Sequence, residues 1–293
     1  MKDKIAAIGT FDGVHRGHRE VLGVLSNYAR ENDLEPIAIT FDRHPLAHID
    51  PERQPSELTP LWKKKNLLKE VGVLPLVLEF NEELRINTAE QWLRHLHEDF
   101  SVRALVIGYD NTFGSDGINL SLENYVELGE KIGIKVIPAK EVKGVSSSAI
   151  RKAVTSGNVE KAAELLGRPY SITSKVVGGN HLGHTFGFPT ANIALSGKEA
   201  IPKAGVYAGI VKTLDDGKKY PAMINVGTRP TLMRGNDLVI EAHLLGYNGD
   251  LYGKDITVRF LKRIREEQKF ESINALRQQL EKDRKQVQDL ALL

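Results

Sequence analysis

Ile5-Ala6-Ala7-Ile8 runs straight into Gly9-Thr10-Phe11-Asp12-Gly13-Val14-His15-Arg16-Gly17-His18, and the reading of this stretch decides the fold of the first half. Four apolar residues in a row read as a strand covered on both faces, and Val21, Leu22, Leu25 and Tyr28 follow at helical spacing. The three glycines of the turn let its backbone bend sharply and come close to a ligand. A helix starting near Gly17 aims its unpaired N–H groups and partial positive charge back into that turn, where an anion is stabilised. His15 and His18 stand three apart, so both imidazoles can lie on one side of the first helical turn. Strand, glycine turn, histidine pair and helix start together point to a polyphosphate held for attack.

Working outward, strand-like segments at residues 5–8, 36–41, 74–78, 102–108 and 134–138 alternate with helical patterns at 18–32, 61–71, 89–100 and 120–132. Such alternation predicts an α/β domain, a doubly wound parallel sheet with helices on both faces. Ligands bind such sheets at the carboxyl ends of the strands. The stretches 9–18, 40–45 and 108–114 all follow strand candidates, so they should gather along one edge. From 147 to 167 the pattern is helical, and after Pro169 it changes again. Short β-branched and aromatic runs separated by glycine, at 172–177, 206–211, 222–226, 239–245 and 256–260, predict a small antiparallel β-barrel. The tail predicts one amphipathic helix with Phe270, Ile273, Leu276, Leu280, Val287 and Leu290 on a stripe that packs on the barrel. The expected domains are 1–154 and 170–293, joined by a linker helix region at 155–169.

Composition narrows the class. At 293 residues, with 41% hydrophobic and 27% charged, the chain supports two cores and a hydrated surface. Net charge is +2 from 40 basic and 38 acidic residues, which gives no argument for a nucleic-acid or membrane partner. Lys63-Lys64-Lys65 reads as a solvated helix face. No apolar run approaches the ~18 residues that span a bilayer. The first strand candidate starts too early to leave room for a signal peptide, and a cytoplasmic location is expected. The absence of cysteine excludes disulfides, thiolate catalysis and thiolate metal sites.

Further constellations accompany the first. In Val145-Ser146-Ser147-Ser148-Ala149-Ile150-Arg151 the serines can cap a helix or bind phosphate, and Arg151 could clamp an anion bidentately. In Thr40-Phe41-Asp42-Arg43-His44-Pro45, Asp42 or His44 either contacts a ligand or stabilises the turn. Asp110, in Gly108-Tyr109-Asp110-Asn111-Thr112-Phe113-Gly114, carries the same two readings. In the second half, the glycine-dense stretch from Gly178 through Gly183, Gly187 and Pro189 to Asn192 reads as a loop that could wrap phosphates with backbone amides. Thr190 and Asn192 offer neutral oxygens two residues apart, suited to a magnesium ion that also takes water and nucleotide ligands. Glu241 is the odd residue of an apolar strand: a general base for a hydroxyl, or an outward-facing strand residue.

The His-Arg-Gly-His element matches the HxGH signature of nucleotidyltransferases, and nearly the whole chain resembles the bacterial bifunctional riboflavin kinase/FAD synthetases. The resemblance rests on GTFDGVHRGH, TFDRHP, GYDNTFG and VSSSAIR in the first half. It rests on GRPYSIT, GHTFGFPTANI, GVYAG, MINVGTRPT, EAHLL, GDLYG and FLKRIREEQKF in the second. It implies a nucleotidyltransferase domain followed by a kinase barrel, phosphorylation of riboflavin by ATP to FMN, and adenylylation of FMN to FAD with release of pyrophosphate. ATP would bind through Gly9, Phe11, Asp12, Gly13 and Gly17, with His15 and His18 at the phosphates. Ser146, Ser147, Ser148 and Arg151 would complete that site, and Asp110 would contribute to it. In the kinase domain Gly178, Gly183, Gly187 and Pro189 would wrap the nucleotide, Thr190 and Asn192 would hold Mg2+, and Glu241 would activate the riboflavin hydroxyl. Riboflavin, FMN and ATP are the implied partners, and no oligomeric state is implied.

The chain departs from the family pattern in places. Asn111 stands where many relatives have an aromatic residue. Gly178-Gly179 replaces a His-Gly pair, and His184 stands where many have an arginine that would contact phosphate. The missing arginine makes an adenylyltransferase with a weakened kinase domain the alternative. A flavin-binding protein without turnover is a third reading, opposed by the intact His15, His18, Thr190, Asn192 and Glu241.

Overall fold

The computed structural model describes residues 2–109, 111–178, 187–231 and 235–291. Asp110, Gly183, Gly179 and His184 therefore lie outside the described residues. The chain divides into two units, Met1–Ser147 and Ser148–Leu293.

In the first unit, β1 (Lys4–Ile8), β2 (Glu35–Phe41), β3 (Leu74–Leu78), β4 (Val102–Ile107) and β5 (Lys135–Pro138) form one sheet in the order β3-β2-β1-β4-β5. Every neighbouring pair is parallel. The alternation along β1 explains the layers. Ile5 and Ala7 pack with Leu22 and Leu25 of α1 (Arg16–Glu31) and Leu68 of α3 (Leu61–Glu70). Ala6 and Ile8 point the other way, to Trp92 and Leu93 of α5 (Ala89–Phe100) and Tyr125 of α6 (Leu122–Ile132). Both faces are covered, so an unbroken apolar run is what the strand needs. The expected doubly wound sheet is present.

Helix starts follow the capping chemistry. Thr88 and Ser121 each accept a bond from the N3 backbone, with Gln91 and Asn124 closing the two capping boxes. That places the start of α6 at Leu122 rather than at the expected position 120. Two short helices, α2 (Leu46–Ile49) and α4 (Glu82–Ile86), carry no apolar stripe of their own and are not legible from periodicity.

After α7 (Ser147–Thr155) and α8 (Val159–Leu166), six strands close into an antiparallel barrel. They are β6 (Ser171–Val177), β7 (Ala191–Ile193), β8 (Gly205–Thr213), β9 (Lys219–Thr231), β10 (Gly235–Leu244) and β11 (Asp255–Arg265), in the order β10-β7-β6-β11-β8-β9. Alternate residues Ile240, Ala242 and Leu244 are buried, as are Ile256, Val258 and Phe260. The expected barrel is there with one strand more, because the three residues of β7 are too few to announce a strand. The final helix, α9 (Ile273–Ala291), lays Leu280, Val287 and Leu290 against Phe188, Ala208 and Met223. Ile273 leaves the expected stripe: it is 63% exposed at the first turn. Phe270 precedes the helix and lies under the Arg265 guanidinium, 5.7 Å from its ring centre.

Candidate active sites

The first site forms at the carboxyl edge of the parallel sheet. Hydrogen bonds tie the 40–45 stretch to the 9–18 turn and the 108–114 stretch to the end of β1 just before that turn. Thr40 at the end of β2 donates its hydroxyl to the Thr10 carbonyl at 3.2 Å, and the Asn111 amide donates to the Ile8 carbonyl at 2.5 Å. The Asn111 departure thus serves as a tie between the loop after β4 and the end of β1. Of these strands, β1 and β4 flank the point where the sheet order reverses, the usual crevice of an open α/β sheet.

Within the turn, Phe11 and Val14 take left-handed backbone angles, φ 46° and 39°, beside Gly13 at 87°. Such angles are costly for a bulky and a β-branched residue, and they persist because the surroundings enforce them. Phe11 and Val14 are buried against the core beneath the turn. His15 caps α1: its Nδ1 accepts the His18 backbone N–H at 3.3 Å. In the neutral ring this leaves the proton on Nε2, a donor. His18 stacks on His15 with ring centres 3.6 Å apart, and the edge of Phe11 meets His18 at 5.2 Å. Gly17 permits the arrangement, since a Cβ there would stand 3.2 Å from the His15 ring.

Asp12 is buried, and its carboxylate accepts three bonds from the Leu58 and Thr59 backbone N–H groups at 3.0–3.1 Å. Its visible work is to hold the turn. Ser147 donates its hydroxyl to the Asp12 carbonyl at 2.9 Å, so the serine element reaches the turn as its pairing in sequence suggests. Ser146 is half-buried and Ser148 exposed, and Arg151 is half-buried one helical turn further along α7.

Asp42 resolves toward its turn role, accepting from the Phe80 N–H and from Arg43 at 2.9 Å each. Burial alone would raise its carboxyl, but these bonds outweigh burial and hold it below the ordinary range. His44 likewise accepts the Leu46 N–H at 3.2 Å. The lysine run is the clear correction. Lys64 is 8% exposed, turned inward beneath the 9–18 turn rather than solvated, while Lys65 is exposed.

The second site lies on the barrel. Glu241 of β10 stands in register with Asn192 of β7 on one side and Asn225 of β9 on the other. Asn192 therefore sits on a strand, where a loop was expected, and Asn225 was missed because strand register is invisible in sequence. A cavity of about 280 Å³ is lined by Phe188, Glu241, Met223, His243 and Phe270, and Leu280 of α9 helps to wall it. A second, of about 300 Å³, is lined by Gly178, Pro189, Asn192, Tyr247 and Tyr252. Thr190 lines both. Glu241 is thus half-buried at a cavity wall. Pro189 presents its carbonyl to His243 Nδ1 at 2.8 Å, and burial pushes the His243 imidazole below its ordinary range. Gly178 is exposed where it lines the second cavity, and Gly187 is exposed with φ 80°.

Arg265 of β11 also lines the first cavity and grips Asp283 of α9 through three bonds of 2.8–3.2 Å. Asp283 is wholly buried, and Gln279 donates to it as well. Arg265 stands in the FLKRIREEQKF motif, but nothing in the sequence pairs it with Asp283.

The family model for FAD synthetase matches residues 1–152, and that for riboflavin kinase matches residues 166–291. A Bacillus subtilis protein named bifunctional riboflavin kinase/FMN adenylyltransferase is 36% identical, covering 96% of this chain and 90% of its own length. Its namesake in Escherichia coli K12 is 37% identical, covering 95% and 90%. A crystal structure described as a macrolide-efflux protein from Streptococcus pneumoniae has TM-score 0.88 at 32% identity, over 98% of this chain and 94% of that one. That name stays with that protein; among the described residues here no helix is long and apolar enough to cross a membrane. With both family models matched in order and relatives alike from end to end, the chain belongs to the bifunctional riboflavin kinase/FMN adenylyltransferases.

Proposed function

We propose that the two reactions are divided between two sites, adenylyl transfer at the 9–18 turn and phosphoryl transfer at the barrel. Riboflavin enters the cavity beside Glu241, where Phe188, Met223 and Phe270 suit a flat apolar ring, and ATP enters the neighbouring cavity. Glu241 takes the proton of the riboflavin 5′-hydroxyl, whose oxygen attacks the γ-phosphorus, and ADP leaves. Thr190 and Asn192 carry neutral oxygens beside this junction, a donor set that fits a hard cation arriving with a polyphosphate and its own waters. A magnesium ion held there would neutralise charge on the phosphate oxygens.

At the other site the FMN phosphate attacks the α-phosphorus of ATP and pyrophosphate leaves. His15 and His18 neutralise the developing charge, and the start of α1 adds its N–H groups. Positioning and charge carry the step, with no covalent protein nucleophile. The domain boundaries 1–154 and 170–293, and a cytoplasmic location with its ATP supply, complete the proposal.

The observation that supports it most directly is the Glu241–Asn192 register at the seam of two cavities. The test supplies riboflavin or FMN with ATP and Mg2+ to wild type and to His18→Ala. Wild type converts riboflavin to FMN and then FAD. His18→Ala accumulates FMN; loss of both products from folded protein rejects the division.

A further inference from the structure

Lys64 is a buried cation that neither proposed reaction uses. Its Nζ donates to the Thr10 carbonyl at 2.8 Å and to the Thr40 hydroxyl at 3.1 Å, and that hydroxyl itself donates to the same carbonyl. The three groups form a closed triangle beneath the glycine turn. The segment carrying Lys64 grips the turn a second time, through the Leu58 and Thr59 N–H groups on the Asp12 carboxylate. Thr10 and Asp12 are thus tied to residues 58–64 on either side of Phe11, whose left-handed backbone needs such enforcement.

The direction of the bond matters. Carbonyl and N–H of one trans peptide point in opposite directions, and this chain has no cis peptide bond among its described residues. A cation on the Thr10 oxygen therefore turns the Phe11 N–H away from α3, and it polarises that peptide so that the N–H is a stronger donor. We infer that Lys64 is a positioning residue for the nucleotide in adenylyl transfer, orienting the Thr10–Phe11 peptide and placing positive charge under the ATP polyphosphate. A buried lysine is costly unless its charge is used. Burial pushes this ammonium down, while Asp12, Glu57 and Asp42 act to keep it charged. The inference rests on the reading that the 9–18 turn holds ATP.

The experiment compares the full-length variants Lys64→Met and Lys64→Arg with wild type and His18→Ala, measuring both activities with each substrate varied. Lys64→Met removes charge at nearly constant length. It is expected to raise the ATP KM of adenylylation by about tenfold or more, the size of a lost charge-assisted hydrogen bond. The FMN KM and the whole of riboflavin phosphorylation stay within about twofold, and Lys64→Arg brings the ATP KM back toward wild type. A residue that only filled the core would not separate the two substrates of one reaction. If Lys64→Met does not accumulate folded, Lys64→Gln carries the test with the same expected split. An unchanged ATP KM in either neutral variant overturns the inference, as does an equal fall in both activities. If instead His18→Ala leaves adenylylation intact, the reading of the turn has failed, a result distinct from a silent Lys64.

Discussion

Glu241 faces Asn192 across an antiparallel strand pair, so a carboxylate and an amide are held side by side where two cavities meet at Thr190. Rigid strands fix this spacing better than two loops could. Glu241→Gln keeps the shape and the pairing but removes the base. Riboflavin phosphorylation should fall by about 10²–10⁴-fold, the usual worth of a general base, with the riboflavin KM little changed. FAD formation from supplied FMN should stay at the wild-type rate. Steady-state assays of the two half-reactions check this, and equal loss in both would place Glu241 outside the kinase chemistry.

Asp283 and Arg265 hold the C-terminal helix to the barrel at the wall of the same cavity. Removing one partner of a buried ion pair leaves the other charge uncompensated. Asp283→Asn should therefore destabilise this unit by about 3–5 kcal/mol. Arg265 would lose its fixed direction, so the riboflavin KM should rise while FMN adenylylation keeps its parameters. The paired change Arg265→Met with Asp283→Leu should regain much of the stability, because no charge is then left buried. Urea denaturation followed alongside riboflavin saturation separates the two effects. A single variant as stable as wild type would show that the pair contributes only to its surface.

How far these sites were readable from sequence depends on whether their signal is local. The β1 run and the helix that follows are legible because the same residues that pack the two faces also set the period. Ser147 was legible as part of a helix start, and it does reach the turn. Lys64 was not: three lysines in a row look like solvent-facing charge, and only the packing of α3 turns the middle one inward. Asn192 sits in a glycine-dense stretch whose strand is three residues long, and Asn225 is drawn to Glu241 by register alone. Asp283 looks like any polar position of a surface helix until the helix is laid on the barrel.

Asp12 ties the turn to the segment before α3. Asp12→Ala strands the Leu58 and Thr59 N–H groups in a buried place, at about 1–3 kcal/mol for each donor left without a partner. The left-handed backbone at Phe11 and Val14 then loses one of its restraints. Adenylylation should weaken through a higher ATP KM, and hydrogen exchange at Leu58 and Thr59 should quicken. Asp12→Asn retains an acceptor and should lie between. Unchanged exchange at Leu58 and Thr59 in the alanine variant would show that the bonds do not hold the segment.

His243 links pH to the stability of the barrel unit. Burial lowers its pKa from 6.5, the Pro189 carbonyl opposes that shift, and Arg284 and Glu281 of α9 act in opposite senses. The folded state therefore binds fewer protons than the unfolded state between the depressed value and 6.5. By linkage, unfolding free energy rises with pH across that window. The contribution is fully present above 6.5 and is lost as pH falls through the folded value. His243→Asn keeps an N–H for the Pro189 carbonyl but does not titrate, so its stability should be flatter with pH in this range. Denaturation midpoints of wild type and variant measured from pH 7.5 down to 5 (about one unit above 6.5 and about one and a half below it) give the comparison. Parallel curves would mean that His243 titrates alike in both states, and that its burial beside Phe188 costs the imidazolium nothing.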